Sequence, residues 1–130
     1  MPIIRGLYQL LIRLKHSAEL SIGALGERHF APGWYVYTGS ARRGLRQRID
    51  RHLRREKRCH WHIDYLLAGA DEVKAYVLPE PAISECDLHA SLVGGEPVSG
   101  FGCSDCTCGS HLAYFRKRPR LKLTPYVLSG

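Results

Sequence analysis

Nine residues, Gly6 to Leu14 (GLYQLLIRL), constrain this chain more than any others. The run has strand length and is apolar almost throughout, so it reads as the central strand of a sheet. With 130 residues, 45% of them hydrophobic, there is enough material for one core and no room for a second. Residues 1–130 are therefore read as one domain.

Further elements follow in order. Leu20–Leu25 before Gly26 suggests a short strand or hairpin, and Pro32-Gly33 opens a second strand, Trp34–Thr38. Leu45, Ile49 and Leu53 recur at i, i+4 and i+8, a narrow apolar stripe on a helix. Trp61–Leu67 reads as a second, more buried helix stopped at Gly69, with Trp61 and Tyr65 packing while His60, His62 and Asp64 hydrogen-bond or meet solvent. Val73–Leu78 reads as a strand, and Pro81 opens a third helix through Val93. Gly100–Gly109 is a loop, and His111–Arg116 is a last strand. The expected fold is α+β: a small three-stranded antiparallel sheet from residues near 6–14, 34–38 and 73–78, flanked by three helices. An extra N-terminal hairpin and C-terminal strand complete it.

Charge is concentrated on the first helix and its exit. Residues 42–58 carry Arg42, Arg43, Arg46, Arg48, Arg51, Arg54, Arg55, Lys57 and Arg58 against only Asp50 and Glu56. That excess of +7 equals the formal charge of the whole chain, so the other residues sum to zero. A solvated helix face would intersperse acids at i,i+4. This one-sided excess points instead to a polyanion, most simply nucleic acid. Arg116, Lys117, Arg118, Arg120 and Lys122 form a second cluster that either extends a binding groove or flanks the terminus.

No run approaches the ~18 apolar residues of a membrane span, so no membrane partner is expected. MPIIRGLYQLLIRLKH is broken by Arg5, Gln9 and Arg13, lacks a small-residue cleavage site and does not read as a signal peptide. A cytoplasmic location follows as the expectation, with the five cysteines present as thiols or metal ligands. Cys103, Cys106, Cys108 and His111 place four soft donors within nine residues, which suits Zn²⁺. Thiols packed inward by a glycine-rich loop are the alternative.

Gly6-Leu7-Tyr8, Tyr37-Thr38-Gly39, a helix with Arg48 and His52, and a later helix with Glu85 together resemble the GIY-YIG nuclease superfamily. YTGSA, RH…WHIDYLL and GFGCSDCTCGSHLAYF are more specifically similar to a small uncharacterised microbial family regarded as a divergent branch of it. Members of that family occur alone or appended to DNA-repair enzymes, so association with such enzymes is an implied partnership. One departure stands out. Tyr8 and Tyr37 lie 29 positions apart, so a segment of roughly residues 15–31 must be looped out of the usual short hairpin.

The resemblance implies a metal-dependent DNA endonuclease. Phosphodiester hydrolysis needs an activated water, neutralised phosphoryl charge and a stabilised leaving oxygen. In that scheme Glu85 holds one Mg²⁺ or Mn²⁺ through a hard oxygen. Arg48 clamps phosphate. Tyr8 acts as general base or orients the water, the base role requiring a phenol lowered by a metal or an arginine. Tyr37 bonds phosphate or Tyr8, and His52 holds or passes a proton. Glu80 and Glu96 are rivals for the role of Glu85. Two alternatives stay open: a nucleic-acid-binding module that keeps the fold without the chemistry, and a zinc-stabilised interaction domain.

Overall fold

The computed structural model describes residues 5–41, 43–54, 62–79, 83–98, 101 and 110–126. Gly6–Leu14 is β1, and Ala18–Ser21 (β2) leads through a single 3-10 turn at Gly23–Leu25 into Glu27–Phe30 (β3). Gly33–Ala41 (β4), Leu45–Leu53 (α1), His62–Ala68 (α2), Glu72–Pro79 (β5) and Glu85–Ala90 (α3) follow. Three short strands complete the chain: Glu96–Pro97 (β6), Leu112–Phe115 (β7) and Thr124–Pro125 (β8).

The sheet corrects the expectation of three strands. Among the described residues it has six, in the order β6-β7-β4-β1-β5-β8, and every pairing is antiparallel. The expected trio forms its middle, with β1 between β4 and β5 along nearly its whole length. β7, β6 and β8 extend it at both edges, because the outer backbone groups of β4 and β5 need partners of their own. The segment between the two tyrosine triplets forms a separate β2–β3 hairpin. The register of β1 on β4 is thereby free to set Tyr8 opposite Gly39 and Leu10 opposite Tyr37.

Alternation along β1 divides the core. Tyr8, Leu10, Ile12 and Leu14 pack with Leu45 and Ile49 of α1 and Ile63, Leu66 and Leu67 of α2. On the other face Leu11 joins Val36, Ala113 and Phe115. The narrow α1 stripe is thus seated on the sheet, where α1 lies across β1, β4 and β5. Gly44 precedes α1 in the left-handed region, at φ +60°, and its carbonyl accepts from Arg48 N–H. Among the described residues no helix is long and apolar enough to cross a membrane.

Candidate active site

Tyr8 is the centre of a polar cluster under the sheet. Its hydroxyl lies 2.8 Å from Nε2 of His52, and both side chains are buried. The rings of Tyr8, Tyr37 and His52 form a triangle with centroid separations of 6.5, 5.4 and 6.3 Å. Register produces this arrangement, since Tyr8 and Tyr37 project from the same face of adjacent strands and α1 crosses that face.

Burial pushes the Tyr8 phenol well above the ordinary tyrosine range. The neighbouring Tyr37 pushes the same way, as does Glu85, while Arg48 opposes them by charge and by hydrogen bonding. Charged or polar groups from β4, α1 and α3 thus lie within electrostatic range of one β1 hydroxyl. In the metal-free chain desolvation outweighs the single guanidinium, so Arg48 by itself does not bring the phenol down. Arg48 also donates to the Ser40 carbonyl through Nη1 at 2.6 Å, which anchors its head beside the end of β4.

Behind His52 stands Asp64, which by sequence alone belongs only among residues that hydrogen-bond or meet solvent. Asp64 is wholly buried in the first turn of α2. Its Oδ1 lies 3.9 Å from Nδ1 of His52, and both its oxygens accept from Arg51, each at 3.0 Å. Two nitrogens of the Arg51 guanidinium are thus engaged in a bidentate pair with Asp64, while its side chain stays partly exposed. A carboxylate on the Nδ1 side favours the tautomer with Nδ1 protonated, so that Nε2 accepts from the Tyr8 hydroxyl. Asp64 was poorly legible in sequence, its only signal being an acid in a helix that follows a strongly basic one.

Of the other expected nucleic-acid contacts, Arg43, Arg46 and Arg54 are exposed. Arg42, Arg55, Lys57 and Arg58 lie outside the described residues. Asp50 accepts from the Tyr126 hydroxyl at 2.8 Å, so one of the two acids in the basic segment is occupied by the C-terminal tail. Arg118 and Arg13 both stack on Trp34, at 5.2 and 5.1 Å from its centroid.

Glu85 opens α3, with Ser84 accepting from the Asp87 N–H as the cap. Oε2 of Glu85 accepts from Nδ1 of His111 at 2.5 Å, while Nε2 of His111 lies 3.6 Å from Sγ of Cys86. Its rival Glu96 is exposed on the edge strand β6, and Glu80 lies outside the described residues. Cys103, Cys106 and Cys108 also lie outside them. Cys86, absent from the expected set, is disulfide-bonded, which departs from the expectation of thiols or metal ligands. Among the described residues no group of three or more His, Cys, Asp or Glu is arranged around a metal position.

A second buried chain crosses the opposite face of the same strands. Gln9 donates to Oγ1 of Thr38 at 3.2 Å, and the Thr38 hydroxyl is hydrogen-bonded to Nδ1 of His89 at 2.8 Å. Burial, with His111 nearby, lowers His89 to about 4, so the ring is neutral near pH 7. The sequence signal for this chain was Gln9, the polar residue in an apolar run.

No curated protein and no solved structure matches the chain. A family profile does, from residue 7 to residue 126. That span takes in Tyr8, Gly39, Arg48, His52, Asp64, Glu85 and His111, so the whole cluster falls inside the family to which this chain belongs, the one described as Domain of unknown function DUF123.

Proposed function

We propose that this chain is a metal-dependent endonuclease of the GIY-YIG kind, hydrolysing phosphodiester bonds of DNA in the cytoplasm in a repair setting. The observation that carries the reading is the buried Tyr8 hydroxyl bonded to Nε2 of His52, with the Tyr37 ring beside it and the Arg48 and Glu85 charges within electrostatic range. A raised phenol is a poor base by itself, but not as a relay. Tyr8 takes a proton from the attacking water as it passes its own to Nε2 of His52, so no free phenolate forms. The buried Asp64 carboxylate stabilises the resulting imidazolium from the Nδ1 side.

Arg48 meets the phosphoryl oxygens, with the exposed Arg43, Arg46 and Arg54 of the same segment holding the flanking backbone. The Glu85 carboxylate is a hard oxygen donor, and one carboxylate with water and phosphate suffices for Mg²⁺ or Mn²⁺. Such an ion, when bound, supplies charge neutralisation at the phosphoryl group.

The test is cleavage of branched, damaged and single-stranded DNA with Mg²⁺ or Mn²⁺, comparing the unmodified chain with Tyr8→Phe and Arg48→Ala. Metal-dependent nicking abolished by either substitution supports the reading. The commitment of Glu85 to His111 favours a second reading, a nucleic-acid-binding module without catalysis. DNA binding with no cleavage under any metal selects that one.

A further inference from the structure

The nuclease reading leaves the second basic stretch, Arg116, Lys117, Arg118, Arg120 and Lys122, without a task. These residues connect β7 to β8, which stand on opposite sides of β4, β1 and β5 in the sheet. The connection therefore has to cross those strands. It does so on the face away from α1. Leu121 packs against the cluster of Leu11, Val36, Ala113 and Phe115, and Arg118 stacks on Trp34 of β4. The stretch is thus no continuation of the α1 surface but a strap over the opposite side of the sheet.

Exposure alternates along it. Arg118, Arg120 and Lys122 are exposed, whereas Pro119, Leu121 and Leu123 are half-buried; Arg116 and Lys117 are exposed as well. Period two belongs to extended backbone, which sets alternate side chains about 7 Å apart. One strand of DNA advances ~3.4 Å per phosphate along the axis. The strap therefore offers a cation to every second phosphate. Among the described residues none of its five cations is paired with a carboxylate. Beside it Glu72 is shared between Arg13 and Lys74, and Arg13 stacks on Trp34 alongside Arg118. A guanidinium stacked on an indole keeps its in-plane N–H donors for phosphate oxygens. Leu121 is turned onto the sheet and the outward residues are basic, so the strap lacks the broad apolar face on which a membrane-surface segment relies.

We propose that the strap is a second DNA-backbone surface, so that the chain holds two DNA segments at once, one on each side of the sheet. The inference rests on the reading of the 42–58 segment as the first such surface. It narrows the substrate class to DNA whose two duplex arms lie close together. The strap's contacts are to phosphate and carry no sequence preference. Their value lies in linkage: once one arm is seated on α1, the other meets the strap at high effective concentration.

The experiment uses the full chain, a four-way DNA junction, and short linear duplexes carrying either a donor or an acceptor dye. The chain should bring the two duplexes together, read as energy transfer, and should bind the junction at least about 10-fold more tightly than one duplex. The triple change Lys117→Ala, Arg120→Ala and Lys122→Ala spares the two arginines nearest the β7 end and Trp34. It should abolish the transfer, bring junction and duplex affinities close to parity, and flatten the salt slope for the junction by about three units. On the unmodified chain, junction DNA should protect Lys117 and Lys122 from acetylation, mapped by mass spectrometry. A triple variant that still bridges duplexes overturns the proposal, as do lysines acetylated equally with and without the junction. A single bound duplex whose salt slope responds only to Arg46→Ala with Arg54→Ala overturns the second surface and leaves the first standing. A slope that responds only to the strap supports the strap as a DNA surface and removes the first. Capture by phosphatidylserine vesicles that is lost in the triple variant, with no junction preference, overturns it in favour of a membrane.

Discussion

A β-carbon on Gly39 would collide with Cζ of Tyr8 and stand 2.5 Å from its hydroxyl, so the Tyr8 ring occupies the space a side chain would need. The two residues face each other across the β1–β4 ladder. The bare backbone at Gly39 is what lets the Tyr8 hydroxyl reach His52 at 2.8 Å. The contact couples the two tyrosine-glycine triplets physically, and it shows why the second ends in glycine.

Gly39→Ala should therefore be costly out of proportion to one methyl group. Overpacking against the buried ring is expected to lower stability by about 1–3 kcal/mol, read from urea denaturation midpoints. Tyr8→Phe removes only the hydroxyl and should stay folded. A Gly39→Ala chain as stable as the parent would mean that Tyr8 is not held over this position.

Arg51 and Asp64 should behave as a buried ion pair. Arg51→Ala leaves the wholly buried Asp64 carboxylate without its bidentate partner, and a loss of about 3–5 kcal/mol is expected. Arg51→Met combined with Asp64→Leu should recover most of it, because no uncompensated charge remains. The check is a denaturant series on all three proteins. Equal losses for the single and double changes would contradict the pairing.

The exposed arginines and Arg48 should separate in function. Arg46→Ala and Arg54→Ala each remove one cation that neutralises a phosphate, so each should flatten the salt dependence of DNA binding by about one unit of slope. Arg48→Ala should reduce cleavage far more than binding, since it is assigned to the reacting phosphate. Fluorescence anisotropy across a salt series, run beside single-turnover cleavage, distinguishes these outcomes. Identical effects from all three substitutions would remove Arg48 from the reaction.

Acid should weaken the fold through His89. Its folded pKa of about 4 lies below the ordinary 6.5, so between those values the unfolded chain binds a proton that the folded one excludes. This contribution is complete above about pH 6.5, declines as the pH falls toward 4, and levels off below. His89→Gln, which keeps a hydrogen-bond partner for Thr38, should flatten that part of a plot of Tm against pH. An unchanged slope would assign the acid sensitivity to other groups.

Local pattern alone determined the middle strands, the place of α1 and the basic character of its outer face. An apolar run, a glycine-bounded strand and an i, i+4, i+8 stripe each report on their own backbone. The candidate set of Tyr8, Tyr37, Arg48, His52 and Glu85 was also legible as an ordered series of residue types. What surrounds each of them was not. Asp64 came to lie behind His52, Arg51 paired with it, and Glu85 and Cys86 met His111 because α1, α2, α3 and β7 converge from distant parts of the chain. The sheet likewise doubled in width through strands of two to four residues, too short to carry a periodic signal. Partnership and desolvation are properties of packed space, and the burial that raises the Tyr8 phenol is something no residue type reports.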